Sequence, residues 1–359
     1  MRDNFSAMEE PNLQPHPALT PTHQRRARYS GKNPRHFDQK YKEQNPGKYA
    51  DTVAKVLASG KTPAGTHRPI MVAEILEALR PAPGEIAIDG TLGYGGHARE
   101  ILAKIQPGGK LIGLDVDATE LAKTEARLRE TGFGLTTFAA YKMNFAGLPQ
   151  VLQKEKLSGV DLILADLGVS SMQIDNPARG FSIKQDGPLD MRMNPERGQS
   201  ASAFLEKINA DALENLLFLN SDEPQAKLLA GALAGKKFLT TGQLARAVKA
   251  ILPHKQREEL ELTVRRVFQA VRIAVNDEFS ALEMFLRHAP FCLKPGGRIA
   301  VLTFHSGEDR RVKKAFSTGQ REGVYEFVTS EVIRATPEEQ RDNPRSSPAK
   351  LRWARKSPT

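Results

Sequence analysis

The sequence predicts an α/β fold in which a doubly wound parallel sheet carries an inserted all-helical subdomain. Short apolar strands and helical segments alternate between residues 85 and 166. The stretch Glu85–His97 runs from one such strand through a glycine-rich loop into a helix. From residue 195 to about 264 the pattern becomes almost wholly helical. We therefore expect a ligand site at the carboxyl ends of the strands.

Four regions follow from composition and periodicity. Residues 1–62 are rich in Pro, Asn, Gln, Arg and Lys, which predicts a mostly disordered basic arm. The sheet domain is expected to comprise residues 63–194 and 265–330, with the helical subdomain over residues 195–264 between them. Residues 331–359 are expected to form a basic tail.

The elements of the sheet domain follow in chain order. A helix over 70–79 is ended by Pro81 and Pro83 before the first strand. The alternation then predicts a strand at 85–89, a helix at 95–105, a strand at 110–115, a helix at 117–130, and strands at 135–139 and 160–166. After the insertion we predict a helix at 258–274, a helix at 278–288, a turn at 294–297 and a strand at 298–304.

The loop from Gly90 to His97 is suited to a nucleotide-like ligand, because glycines let the backbone turn tightly and approach a ligand closely. Asp115 ends the next strand and suits the two hydroxyls of a ribose. The loop does not read G-x-G-x-x-G, and the Asp89 carboxylate at the strand tip would repel a pyrophosphate but fit an ammonium group. Spacing alone leaves three alternatives: a dinucleotide, S-adenosylmethionine, and a turn that serves only the helix crossover.

The charge balance points to a polyanionic partner. The formal net charge is +10, and eight basic residues lie between Gln24 and Lys48 with Tyr29, Phe37 and Tyr41 among them. Basic residues also surround Trp353 near the C-terminus. These segments predict contact with nucleic acid, with merely solvated tails as the alternative.

Other classes are excluded by what the chain lacks. There is no run of about 18 apolar residues and no secretory signal at the N-terminus, so a cytoplasmic protein without a membrane span is expected. Cys292 is the only cysteine, which excludes an internal disulfide and a zinc site of several thiolates. No metal is expected, and Cys292 is predicted to lie in the core.

Four further blocks accompany the glycine-rich loop. They are Asp166–Gln173, Arg179–Ser182 with Asp186–Met193, Phe268–Ile273 with Asn276, and Phe304–Asp309. Together these motifs resemble the RsmH (MraW) family over about Thr66 to Lys314, with the helical insertion in the place where that family has one. The resemblance implies a Rossmann-like class I methyltransferase sheet. It also implies S-adenosylmethionine-dependent methylation of N4 of a cytidine in the decoding region of 16S ribosomal RNA.

The resemblance assigns a set of cofactor contacts, namely Gly95, Gly96, His97, Asp115, Phe145, Asp166 and Gln173. Asp115 would hold the ribose, the ring of Phe145 would flank adenine, and the other residues would surround the rest of the cofactor. The alternative role for Phe145 is that of an ordinary core residue, and the alternative for Gln173 is that of a capped loop residue.

The amine to be methylated is a poor nucleophile, because its lone pair is conjugated with the cytosine ring. A carboxylate that accepts an N4 hydrogen can aim the lone pair at the methyl group. Asp166 is the first candidate, with Asp190 and His305 as secondary catalytic candidates. The alternatives are an ion pair of Asp190 with Arg192 and a satisfied strand-end histidine for His305.

Three arginines of the helix at 258–274, Arg265, Arg266 and Arg272, are predicted to bind RNA phosphates, unless they form a solvated or ion-paired face. The expected partner is small-subunit ribosomal RNA or the assembled small subunit. The oligomeric state stays open, a homodimer included.

Departures from the family pattern leave the target less defined. Gly307 replaces a leucine of the usual Phe-His-Ser-Leu-Glu-Asp block, Asn343–Pro348 departs from the usual closing motif, and a long arm precedes Thr66. A divergent or paralogous member is therefore an alternative. It would methylate another RNA or DNA site, or act as a noncatalytic ribosome-assembly factor.

Overall fold

The structure is a computed structural model that describes residues 69–358. The basic arm predicted for residues 1–62 lies outside the described residues.

Within them, one seven-stranded sheet organises the chain. Its strands are β1 Ile86–Asp89, β2 Lys110–Asp115, β3 Phe138–Lys142, β4 Val160–Asp166, β5 Leu293–Thr303, β6 Tyr325–Val328 and β7 Lys350–Lys356. The order is β3-β2-β1-β4-β5-β7-β6, and β7 runs antiparallel to both of its neighbours. This Rossmann-like sheet confirms the predicted fold class, and it sets the carboxyl ends of β1, β2, β4 and β5 along one edge.

Thirteen α-helices are described between residues 69 and 358. They are α1 Val72–Leu79, α2 Gly96–Ile105, α3 Ala118–Glu130, α4 Leu148–Glu155, α5 Ser171–Asp175, α6 Ala201–Lys207, α7 Ala210–Ser221, α8 Ala226–Leu233, α9 Thr241–Ile251, α10 Arg257–Asn276, α11 Glu278–Cys292, α12 Ser306–Arg321 and α13 Pro337–Asp342.

The sheet is buried on both faces, which is why its strands read as continuous apolar runs. Successive residues of β1 enter different cores, with Ile88 among residues of α4 and α11 and Ala87 among residues of α1 and α2. Cys292 is buried in the first of these cores, as predicted.

The helical subdomain has a core of its own, and that core exceeds the limits expected from the sequence. It begins with Leu189 and Met191, before residue 195, and it includes Phe268 and Val271, beyond residue 264. Helix α10 is 20 residues long and carries Val264 and Val267 into the same core. A single helix thus leads from the subdomain back to the sheet domain.

The prediction of a tail at residues 331–359 is wrong. Residues 350–356 form β7, which is inserted between β5 and β6. Leu351 and Ala354 are fully buried, and Arg352 is only 6% exposed. The Nε of Arg352 donates to Asp309 Oδ1 at 2.7 Å, which compensates its charge. An acidic partner on α12 allows a basic segment to be a sheet strand.

Two smaller expectations also shift. The strand predicted at 135–139 is β3 at Phe138–Lys142, so it starts three residues later. The turn predicted at 294–297 is an irregular start of β5, with Gly296 at φ +74° and a register shift opposite Val160 and Leu162.

Candidate active site

A cavity of about 510 Å³ opens at the carboxyl ends of the parallel strands. Asp115 ends β2 and Asp166 ends β4, and both line the cavity. Phe304 follows β5 and also lines it. The cavity therefore lies where the strand order predicts a ligand site.

The glycines of the loop are required mainly by neighbouring protein atoms. Gly95 has φ +78°, and a Cβ there would lie 2.7 Å from Thr124 Cγ2. A Cβ on Gly96 would lie 2.9 Å from Pro69 Cγ. Gly96 lines the cavity and begins α2, whereas Gly95 lies outside the lining and is the N-cap of α2. The loop is thus shaped by tight packing against α3 and the segment before α1.

Asp115 is held by the loop that it faces. Its Oδ2 accepts from Gly93 N at 2.8 Å, and its Oδ1 accepts from Asp117 N at 2.9 Å. Burial raises the pKa of Asp115 despite these bonds. Each carboxylate oxygen has a second lone pair, so a pair of hydroxyls can still be bound.

Three titratable groups lie together at the tips of β1 and β4. The Nε2 of His97 is 2.9 Å from Ile70 O, so a neutral ring donates from Nε2 and leaves Nδ1 unprotonated. This Nδ1 is 3.6 Å from Asp166 Oδ2. Asp89 is buried, and its Oδ1 accepts from Thr91 N at 3.0 Å.

Burial sets the protonation of this cluster. It raises the pKa of Asp166 to about 7 and that of Asp89 to about 6, and it lowers the pKa of His97. Near neutral pH a proton on Asp166 is therefore gained and lost easily, which suits a group that takes part in proton transfer.

Phe145 and Gln173 line the cavity and also have the structural contacts foreseen as alternatives. The ring of Phe145 packs edge-on against Phe285, with centroids 5.4 Å apart. Gln173 forms a capping box with Ser170, since each residue's backbone N–H donates to the side chain of the other. Both side chains are thereby fixed in position at the cavity wall.

Asp190 and His305 do not line the cavity. Asp190 accepts two bonds from the guanidinium of Arg192, at 2.7 and 2.9 Å, which is the ion pair foreseen as its alternative. His305 caps α12 by accepting from Glu308 N at 3.4 Å, and its Nε2 lies 3.2 Å from Glu308 Oε1. The structure thus gives both residues roles in shaping loops.

The three arginines of α10 that were predicted to bind RNA have different environments. Arg265 is exposed and has no ion pair within residues 69–358. Arg266 Nη1 lies 3.8 Å from the buried Glu223. Arg272 lines the cavity but donates two 2.9 Å bonds to Glu278, so its charge is balanced.

Sequence reasoning missed Glu308, although it lies in a quoted block. Its side chain is 4% exposed, lines the cavity and accepts from Phe304 N at 2.8 Å. The pKa of Glu308 is lowered, despite burial, by its contacts with His305 and by the nearby Arg272. A glutamate four residues after a strand-end phenylalanine was the available signal.

The C-terminal segment forms another part of the wall. Pro344, Arg345 and Pro348 line the cavity, and Arg345 Nη2 donates to Asp175 Oδ1 at 2.7 Å. This bond ties the segment before β7 to α5. Residues assigned from sequence to a tail therefore help to enclose the site.

Comparison with known proteins matches residues 64–357 to the sequence model of the MraW methylase family. The ribosomal RNA small subunit methyltransferase H 1 of Lachnoclostridium phytofermentans is 47% identical and covers 96% of each chain. The methyltransferase H 2 of Alkaliphilus metalliredigens is 48% identical over 93% of this chain and 98% of its own. The methyltransferase H of Trichlorobacter lovleyi is 40% identical over 81% of this chain and 98% of its own.

No helix between residues 69 and 358 is both long and apolar enough to cross a membrane.

Proposed function

The chain belongs to the MraW methylase family, and we propose that it transfers a methyl group from S-adenosylmethionine to N4 of a cytidine in the decoding region of 16S ribosomal RNA. One observation carries the proposal beyond the family. The strands β2 and β4 each end in an aspartate at a single cavity, and the second of these can exchange a proton near neutral pH.

The charge of the cavity fits this cofactor better than a dinucleotide. Asp115, Asp166 and Glu308 line it, whereas its two arginines, Arg272 and Arg345, are neutralised by ion pairs. Such a surface attracts the ammonium and sulfonium groups of S-adenosylmethionine and repels a pyrophosphate. A volume of about 510 Å³ is also in the usual range for cofactor sites.

The cofactor supplies an electrophilic methyl group, and we assign the remaining work to residues of the chain. We infer that Asp115 binds the ribose hydroxyls and that Phe145 packs against the adenine. The Asp166 carboxylate accepts a hydrogen bond from the cytosine amine, which directs the nitrogen lone pair toward the methyl group. As the amine nitrogen gains its methyl group it loses a proton, which passes to Asp166.

The direct test is the methylated product. Small subunits from a strain without the gene should lack N4-methylcytidine in their RNA by mass spectrometry. Purified protein with methyl-labelled S-adenosylmethionine should restore it at one cytidine. Unchanged N4-methylcytidine after deletion would contradict the target assignment.

A second candidate is methylation at another RNA site. The alignments with the relatives that are 47% and 48% identical cover 96% and 93% of this chain, so they include at least part of the N-terminal arm. The names of these two relatives end in a number, H 1 and H 2. The 40% identical relative spans only 81% of the chain, and its name carries no number. We infer that the arm marks a subset of the family. Labelled transfer to purified subunits, free RNA and DNA would separate the substrates.

The departure at Gly307 has a local explanation that does not involve the target. A Cβ at this position would lie 2.7 Å from Phe279 Cζ and 3.2 Å from His305 Nδ1. The Phe279 ring also stacks beneath the guanidinium of Arg311 at 3.5 Å. The space that a leucine would fill is thus taken by Phe279.

A further inference from the structure

A second, smaller cavity of about 180 Å³ lies between α12 and the strands β6 and β7, away from the active-site cavity. Its lining is almost entirely polar and contains no carboxylate. The lining residues are Lys313, Ser317, Gln320, Val328, Thr329, Ser330 and Arg352.

The floor of this pocket is a buried guanidinium with spare donors. Arg352 is 6% exposed, and its Nε donates to Asp309 Oδ1. Within residues 69–358 its two Nη groups make no hydrogen bond. These donors face the pocket, so a ligand with acceptor oxygens could bind them.

The rim adds further donors that are equally unengaged. Among the described residues, the side chains of Lys313, Ser317 and Ser330 form no hydrogen bond or ion pair. Asp309, which is the nearby acid, accepts from both Lys350 and Arg352 and is therefore balanced. The pocket thus presents the unpaired ammonium of Lys313, the spare Nη donors of the ion-paired Arg352 and two hydroxyls, a set that matches a phosphate group.

The arginine of the pocket lies close to the level of the active site along the sheet. Arg352 pairs with Val301, which in turn pairs with Ala165, the residue before Asp166. Strand β6 ends lower, because Val328 pairs with Ala354 at the level of Ile299. Three strand spacings separate β6 from β4, a lateral distance of about 14 Å. An RNA strand with its base in the active site can reach this distance within a few nucleotides.

We propose that the pocket around Arg352 and Lys313 binds a backbone phosphate of the substrate RNA, a few nucleotides from the methylated cytidine. The inference rests on the proposed function for the identity of the RNA. The pocket would hold the RNA in register while contributing nothing to cofactor binding or to the chemical step.

The test compares two neighbouring lysines of α12. Lys313→Glu changes the pocket, whereas Lys314→Glu makes the same charge change at an exposed residue outside it. We expect Lys313→Glu to raise the KM for unmethylated small subunits about tenfold, with kcat and S-adenosylmethionine affinity unchanged. Binding of a single-stranded RNA by fluorescence anisotropy should weaken likewise, with a salt slope smaller by about 0.7. Lys314→Glu should stay within about twofold of wild type, because it lacks the phosphate contact.

Ser330→Asp is the second variant, since it puts a carboxylate at the rim without altering α12, and it should reproduce the Lys313→Glu effect. Equal KM values for Lys313→Glu and Lys314→Glu would overturn the proposal. If Lys313→Glu lost the thermal stabilisation that inorganic phosphate gives to wild type but bound RNA unchanged, the pocket would be assigned to a free anion. That result would also overturn the proposal. Failure of wild-type protein to methylate subunits would contradict the proposed function alone, because the anisotropy comparison needs no methyl transfer.

Discussion

At the scale of single residues, position at a strand end proved more informative than residue type. Asp115 and Asp166 end buried strands, so the sequence alone placed them at the cavity. Asp190 and His305 lie in equally distinctive blocks, yet their side chains turn to Arg192 and to the start of α12. Spacing along the chain does not reveal orientation in a loop, and so these two could not be separated from Asp166 beforehand.

Asp166 gives the sharpest prediction at this scale. Because burial raises its pKa to about 7, the carboxylate that accepts the amine hydrogen predominates only above that pH. We expect kcat on small subunits to rise as pH increases through about 7. Asp166→Asn should lower kcat on the order of 10²-fold and remove this rise.

The control for that measurement is Asp211→Asn, a change at an exposed residue of α7 that does not line the cavity. It should keep both the rate and the pH profile of wild type. S-adenosylmethionine affinity is measured separately by calorimetry, so that a loss of cofactor is not mistaken for a loss of proton transfer. A pH profile of Asp166→Asn that still rises through 7 would exclude Asp166 as the titrating group.

At the scale of elements, apolar patterns in the sequence predicted the buried strands well, but a strand rich in basic residues was taken for a tail. The bounds of β2 and β4 agree with the sequence to the residue, because buried parallel strands are apolar throughout. Strand β7 contains four basic residues in seven, and its apolar face alone did not distinguish it from a tail. Its acidic partner Asp309 is about 40 residues earlier, a contact that local patterns cannot report.

Asp309 should therefore contribute to holding β7 in the sheet. It accepts hydrogen bonds from Arg352 at 2.7 Å and from Lys350 at 3.3 Å. These contacts, chiefly the one with Arg352, lower the pKa of Asp309 although burial raises it. Asp309→Asn should cost about 2 kcal/mol of unfolding free energy at pH 7, because Arg352 is left buried without its counter-charge. Urea denaturation measures the change.

The pH dependence of that cost has a defined sign. A carboxyl with a lowered folded pKa stabilises fully above its unfolded pKa, and the stabilisation is lost as pH falls through the folded value. The difference between Asp309→Asn and wild type should therefore shrink below about pH 4. Asp222→Asn, which breaks the exposed pair with Arg310 of the same helix, should cost at most about 1 kcal/mol at either pH. Equal costs for the two variants at pH 7 would contradict a role for Asp309 in anchoring β7.

At the scale of the whole molecule, the helical subdomain and the sheet are joined by shared parts, which is why a boundary at 195–264 was too narrow. Asn276 at the end of α10 accepts from Met193 N at 2.7 Å and donates to Met191 O at 2.8 Å. The loop before the subdomain and the helix after it are therefore tied together beside the cavity. Periodicity marks where helices are, but the limits of a core depend on which distant segments pack together.

A single substitution in this architecture can distinguish a catalytic role of the protein from a role that needs only its folded structure. Asp115 touches the loop through Gly93 and Asp117 backbone groups and lies at the cavity surface, so Asp115→Ala should leave the folded sheet intact. Loss of two hydrogen bonds to a charged group should weaken S-adenosylmethionine binding about 100-fold by calorimetry. A strain that carries Asp115→Ala should then lack N4-methylcytidine and behave like the deletion strain in ribosome profiles. The opposite outcome is a strain with Asp115→Ala that lacks the methyl group but assembles small subunits normally, while the deletion strain does not. In that case the chain would act in assembly without catalysis.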